Sequence, residues 1–358
     1  VVISGAVFLI WFFLVFARKG FWRVAEPPQL AAPSGRPTVI AVIPARNEAE
    51  VIRRSTGSLL ASDYPLRIVL VDDHSTDGTA EAAGSNPNLT VMQAPPLETG
   101  WTGKLWAVHN GILEAAKLAP DYYLLTDADI EHAPGNVSQL VARAEAGGFD
   151  MVSLMVKLRC ESLAEKLLIP AFVFFFFKLY PPGARTNGAA GGCILIRREA
   201  LERAGGIAAI RNEPIDDCAL AREVKRTGGK LWLGVTQTTR SIRPYPEFSD
   251  VEQMIARTAF TQLKYSAWML LGAVLGMVVT YLLPPALALV GYPLAAAAWA
   301  LMTIAYIPIL RFYGLNLLWA LALPGVAVFY TCATVHSALN YWRGKGGMWK
   351  GRASASRS

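Results

Sequence analysis

Two carboxylates one residue apart, Asp127 and Asp129, close the stretch LLTDADIE at residues 124–131. They follow an apolar run of the kind that forms a buried strand. Side chains alternate along a strand with period two, so the pair is expected on one side. Like charges that close repel each other unless a cation sits between them. Hard oxygen ligands suit Mg²⁺ or Mn²⁺. A polar loop after a strand is the plainer reading of D-x-D taken alone. It weakens because two more polar clusters close apolar runs in the same way, Arg46-Asn47-Glu48 after TVIAVIPA and Asp72-Asp73 after LRIVLV. A further carboxylate pair, Asp216-Asp217, opens the amphipathic stretch DDCALAREVKRTGG, where it would also suit a helix N-terminus electrostatically.

The elements that must hold these groups alternate. Strands are expected at 38–45, in LRIVLV, in LTVMQ and in YYLLT, with helices over RNEAEVIRRSTGSLLAS and KLWAVHNGILEAAKLA between them. Such alternation predicts a parallel sheet flanked by helices, and ligands bind beyond the carboxyl ends of its strands. All three strand-end clusters fall there. Ser75, Thr76 and Asp77 read as turn and cap residues. No G-x-G-x-x-G and no G-x-x-x-x-G-K-[ST] is present, so a bound nucleotide would need another way to neutralise its phosphates. A divalent cation on Asp127 and Asp129 would supply it. Lys104, early in a helix, is open to two readings, a phosphate contact or a solvated lysine. His109 on the same helix reads as a packed histidine, and without a second His or Cys at metal spacing zinc is disfavoured.

Of the 358 residues, 53% are hydrophobic, and they cluster in blocks. Val1–Ala17 is almost continuously apolar, and Ala267–Leu283, Ala286–Leu310 and Leu315–Leu339 form three more, broken by Pro284-Pro285 and Arg311. The resulting organisation is an apolar anchor at 1–17, a basic linker at 18–36, an α/β domain at 37–248, an amphipathic interfacial segment at 249–266, two or three membrane helices at 267–341, and a basic tail at 342–358. The net charge of +7 belongs to the flanks. Arg18, Lys19, Arg23 and Arg36 against Glu26 give +3, the tail's Arg343, Lys345, Lys350, Arg352 and Arg357 give +5, and the rest sums to −1. This pattern fits the positive-inside rule and leaves no basic stripe for nucleic acid. Both flanks on one side require an even number of C-terminal crossings, against an apolar count of three. The four scattered cysteines suit a reducing compartment and exclude a Cys-based zinc site. IPAFVFFFFKLYPP, at 169–182, is too short to span a bilayer and is either a core element or an interfacial entrance for a lipid. In TNGAAGGCILI, at 186–196, glycines precede a strand where a backbone could approach the acceptor closely.

IPARNE, VDDHSTDGT, TDADI and EPIDDCALAREVKRTGG, in that order, resemble the family-two glycosyltransferases with the GT-A fold, over about residues 38–235. GWTGKLWAVHNG and MIARTAFTQLKYS, with the apolar flanks, are similar to a narrower group, the hopene-associated bacterial glycosyltransferases. The resemblance implies an inverting, metal-dependent transfer from a nucleotide sugar, usually a UDP-sugar. By its pattern Asp73 would hydrogen-bond the base, with Ala45 and Arg46 lining base and ribose and Glu48 in the same nucleotide site. Asp127 would face the ribose and share the metal with Asp129. Asp217 would be the general base, with Asp216 standing where the family carries Glu. Arg257, a candidate contact to the nucleotide's diphosphate, falls where processive members carry Gln-x-x-Arg-Trp. Here Gln253 is displaced and the Trp absent, which implies single-sugar transfer to a membrane lipid, a hopanoid among the candidates. Transfer to a polyprenyl phosphate, processive synthesis, and an idle nucleotide-binding scaffold are the alternatives. The expected location is the bacterial cytoplasmic membrane, with the catalytic domain facing the cytoplasm.

Overall fold

The computed structural model describes residues 1–31 and 35–344, together with 348–349 and 352–353. The basic side chains expected beyond Gly344 therefore lie outside the described residues. By internal contacts the chain forms two compact units. One comprises Glu26–Leu158 and Pro182–Arg243; the other comprises Val1–Ala25, Arg159–Pro181 and the apolar helices from Pro244 onward. Residues 159–181 lie inside the linear stretch 37–248, yet they cluster with the apolar helices.

The first unit is built on one eight-stranded sheet. Its strands are β1 (Val39–Ala45), β2 (Leu66–Asp72), β3 (Leu89–Gln93), β4 (Tyr122–Thr126), β5 (Ile130–Glu131), β6 (Met151–Lys157), β7 (Cys193–Arg197) and β8 (Leu231–Ser241). Their spatial order is β3-β2-β1-β4-β7-β6-β8-β5. From β3 to β4 every pair is parallel, as the alternation with helices requires. β7 then runs antiparallel to both β4 and β6, β8 is parallel to β6, and β5 antiparallel to β8. The sheet is thus mixed, with a parallel half that carries the strand-end clusters.

All seven residues of β1 are buried, because helices cover both faces. The pleat sorts its side chains into two cores. Ile40, Val42, Val69, Val71, Tyr123 and Leu125 face one core, completed by Leu105 and Val108 of helix Gly103–Ala116 and by Leu220 and Val224 of helix Asp216–Arg226. Val39, Ala41, Ile43, Ile68, Leu70 and Leu124 face the other, with Ile52 and Leu59 of helix Ala49–Leu60 and Val137 and Leu140 of helix Asn136–Gly147. Gly111 sets how closely one helix approaches. A Cβ there would lie 2.5 Å from Val42 Cγ1 and 2.8 Å from Val71 Cγ2.

The second unit is helical. Ala267–Leu289, Pro293–Phe312 and Leu317–Trp342 are each long and apolar enough to cross a membrane, and Val2–Phe16 is a shorter apolar helix. The expected break at Pro284-Pro285 is displaced. Both prolines sit in the first turn of helix Leu283–Leu289, after a π-helical turn at Val278–Leu282, where a missing N–H costs little. The chain turns instead at Gly291, with φ +91°. The segment 249–266 forms two short helices, Phe248–Ala256 and Ala259–Gln262, rather than one.

The aromatic run is a helix, Leu163–Leu179, opened by a capping box between Ser162 and Glu165. Phe174 and Phe177 are fully buried. Phe174 meets Phe21 and Tyr306, and Phe175 meets Tyr281 and Tyr330, at ring-centroid distances of 4.9–5.4 Å. Of the two readings left open, the core role holds for Phe174 and Phe177, while Phe172, Phe175 and Phe176 are half-buried. The helical period divides the run, and half of it packs inward.

Candidate active site

β1 and β2 end in register, with Ala45 beside Asp72, and the Asp73 N–H donates to the Ala45 carbonyl at 2.8 Å. Arg46 folds back over this corner. Its guanidinium donates to the Asp73 carbonyl and lies 3.6 Å from the buried Asp73 carboxylate. Ala45, Arg46 and Asp73, expected at the base and ribose, therefore form one corner. Asn47 and His74 turn the chain here at φ +51° and +54°, a region such residues tolerate. The neighbouring loops stitch to each other. Asp77 accepts from the Ala49 N–H at the start of helix Ala49–Leu60, and Thr79 accepts from the Glu48 N–H. Asp77 is the cap residue its sequence suggested, for a helix in the adjacent loop.

A second group surrounds Lys104. Thr102 caps helix Gly103–Ala116, accepting from the Leu105 N–H, and the first turn of that helix presents Lys104 to the carboxyl end of β4. Its ammonium lies 2.9 Å from Asp127 Oδ1 and 3.0 Å from Asp216 Oδ2. These three residues, with Pro44, Gly191 and Asp217, line a small cavity that opens to solvent. The solvated reading of Lys104 fails, because it is the cation between two carboxylates. Burial pulls its pKa down, but Asp127 and Asp216 more than offset that and hold it above the ordinary lysine value.

Asp217 opens helix Asp216–Arg226. Its Oδ1 accepts from the Cys218 N–H at 2.7 Å and its Oδ2 from the Gly191 N–H at 2.8 Å. Burial, with the charge of Asp216, pushes its pKa up to about 7 against the pull of those two N–H groups and Lys104. Burial likewise raises Asp127, with Lys104 opposing. The glycines before β7 serve this contact, since a Cβ on Gly191 would sit 3.3 Å from Asp217 Oδ2.

The D-x-D pair behaves differently from the expectation. β4 ends at Thr126, so Asp127 and Asp129 belong to the following turn and do not alternate as strand residues. Asp127 takes Lys104. Asp129 is buried and accepts from Arg243 Nε at 2.9 Å and from the Ser241 hydroxyl at 3.2 Å. Arg243 also pairs with Glu48, joining two expected site residues. Sequence reasoning missed Arg243. Its position follows from β5 pairing with the end of β8, which brings the Ile242 N–H onto the Asp129 carbonyl. Among the described residues no group of three or more His, Cys, Asp or Glu is arranged to hold a metal ion. His109 stacks on Trp106 and lies tilted against Trp101. Arg257 belongs to the helical unit, following helix Phe248–Ala256, while every other expected site residue belongs to the sheet unit.

Residues 40–205 match the family model Glycosyl transferase family 2. The chain is 29% identical over 133 residues to an undecaprenyl-phosphate 4-deoxy-4-formamido-L-arabinose transferase of Yersinia enterocolitica, covering 35% of this chain and 38% of the relative. It is 33% identical over 136 residues to the transferase of the same description from Pectobacterium carotovorum, covering 36% and 40%. The match thus spans about two fifths of the length of these curated relatives. Among solved structures, a mannosyltransferase from Pyrobaculum calidifontis in complex with GDP-Man and Mn²⁺ is similar, with a TM-score of 0.54 at 19% identity over 98% of this chain and 100% of that one. That likeness concerns the fold, which is GT-A-like.

Proposed function

We propose, from the match of residues 40–205 to the family model Glycosyl transferase family 2, the inverting transfer of a single sugar from a nucleotide sugar, a UDP-sugar first, to a lipid acceptor in a membrane. Asp217 carries this reading. It is a carboxylate lining the cavity, fixed by two backbone N–H donors and shifted to about 7, where a general base accepts a proton best. Asp217 takes the proton of the attacking hydroxyl. Lys104 places a positive charge beside the carboxylates at the cavity mouth, where the diphosphate leaves. Arg46 and Asp73 hold the nucleoside at the ends of β1 and β2.

The oxygen chemistry of Asp127 and Asp129 suits a divalent cation, which would have to displace Lys104 from the first and Arg243 from the second. Asp127 and Asp129 offer hard carboxylate oxygens, and Mg²⁺ or Mn²⁺ commonly takes one or two carboxylates and draws its other oxygens from substrate phosphates. Bound there, the ion supplies positive charge for the departing diphosphate.

A hopanoid hydroxyl is one acceptor; a polyprenyl phosphate is the second reading, supported by the relatives, which are undecaprenyl-phosphate transferases by description. The two differ in their need for a base. A phosphate monoester has its second pKa near ~6 and brings its own ionised oxygen, whereas a hydroxyl depends on Asp217. Purified chain, labelled UDP- and GDP-sugars, and each acceptor in turn make the test. Labelled lipid formed by wild type and lost in Asp217→Asn with the hydroxyl acceptor supports the reading. No labelled lipid from any pairing overturns it.

A further inference from the structure

Beside the cavity, the β4–β7 ladder ends at the pair Thr126 and Cys193. From that last rung one strand runs out to Asp127. The other leads back through Gly192 to Gly191, whose N–H holds Asp217. Past the rung, a string of buried side chains takes over from the ladder. Asn136 Nδ2 donates to His132 Nδ1 at 3.0 Å, so Nδ1 is the acceptor and Nε2 carries the proton. His132 Nε2 lies 3.0 Å from Thr126 Oγ1, and the Thr126 hydroxyl donates onward to the Gly192 carbonyl at 2.8 Å.

The direction of the string is fixed at its head, because an amide nitrogen only donates. His132, Thr126 and Asn136 are 3%, 2% and 6% exposed, so solvent does not compete for these bonds. Burial holds the imidazole down to about 3, which keeps it in the neutral form the string requires. The backbone N–H of His132 is itself tied to Ser58 Oγ at 3.0 Å. Any side chain at Gly192 would crowd Val156, since a Cβ there would lie 3.1 Å from Val156 Cγ2.

We propose that His132 is a positioning residue. Through Thr126 and the Gly192 carbonyl it fixes the two backbones that present Asp127 and the Gly191 N–H, and so sets the spacing between the nucleotide side of the cavity and Asp217. This rests on the reading of Asp217 as the base.

Thr126→Val removes the hydroxyl with little change of shape and keeps a side chain that strands favour. It is expected to lower kcat by up to about 10²-fold, the usual penalty for a reacting group misplaced by an ångström. The donor KM and the melting temperature should stay nearly unchanged, and amide exchange at Gly191 in the unliganded chain should speed up. Thr126→Ser should restore most of the rate. His132→Gln, which keeps one acceptor and one donor, should outperform His132→Leu. Wild-type exchange at Gly191 in Thr126→Val, or a rate loss that only follows a lower melting temperature, overturns the positioning role. Faster exchange in Thr126→Val alongside a wild-type chain that transfers no sugar overturns the functional reading and leaves the coupling standing.

Discussion

At the scale of residues, Asp217 makes activity and stability pull in opposite directions. As a base it must be ionised, so kcat should rise from acidic to neutral pH with a midpoint near 7. Asp217→Asn should remove that limb and lower kcat ~10²–10⁴-fold for a hydroxyl acceptor, leaving donor binding close to wild type. The stability effect has the other sign. In the unfolded chain Asp217 loses its proton near ~4, whereas in the folded chain it keeps it to about 7. The fold therefore loses stability as pH rises through that window, and Asp217→Asn should melt higher than wild type at pH ~8. A lower melting point for the variant would show that its two N–H bonds outweigh its burial. Lys104 holds Asp217 down. Lys104→Met should accordingly move the acid limb of kcat to higher pH, and an unmoved limb would detach Lys104 from the base. For the cation, excess chelator should abolish transfer, with Mn²⁺ or Mg²⁺ restoring it; full activity in chelator would remove the ion from the reaction. Much of this site was legible because its carboxylates sit beside strand ends and a helix start. Arg243 was not. It lies 114 residues from Asp129, in an arginine-proline step that reads like any strand exit, and only the pairing of β5 with β8 brings it home.

At the scale of elements, periodicity revealed which segments are strands but not their direction. CILIR is as apolar as TVIAVIPA, because both strands are covered on two faces, and nothing in either run states which way it points. The antiparallel course of β7 brings Gly191 beside Asp217. The aromatic run shows a complementary limit. Continuous phenylalanines carry no helical stripe, so their inward and outward faces emerge only once neighbours are present. Phe174, packed on Phe21 and Tyr306, now predicts a structural phenotype. Phe174→Ala should cost about 3–5 kcal/mol, as large-to-small changes at buried phenylalanines do. The melting temperature should fall, and transfer to long-chain and short-chain acceptors should drop together. Loss confined to the long-chain acceptor at an unchanged melting temperature would return this helix to lipid recognition.

At the scale of the whole molecule, charge and apolar length disagree, and the disagreement is testable. Three helices, Ala267–Leu289, Pro293–Phe312 and Leu317–Trp342, are long and apolar enough to cross a membrane. If all three cross, the tail lies on the opposite side from the segment that precedes them. The tail carries Arg343, Lys345, Lys350, Arg352 and Arg357, and the segment after the first apolar helix carries Arg18, Lys19 and Arg23. Lys and Arg near membrane-helix ends are biased to the cytoplasmic side, which predicts that both segments lie there. On that prediction one helix enters and leaves on the same face. Ala267–Leu289 is the best suited. Its regular helix is interrupted by the π-turn at Val278–Leu282, leaving α-helical pieces of 11 and 7 residues. A π-turn followed by Pro284 is a place where helices kink, so this one has a built-in point at which to bend back. The expected outcome is that a reporter fused after Arg343 and one inserted near Gly84, in a surface turn of the sheet unit, read the same side. Cysteines placed at positions 268 and 290, both exposed, should be labelled from that side as well. Opposite sides for the two reporters would mean three full crossings, with the tail's five basic residues outweighed by the length and hydropathy of the helices before them.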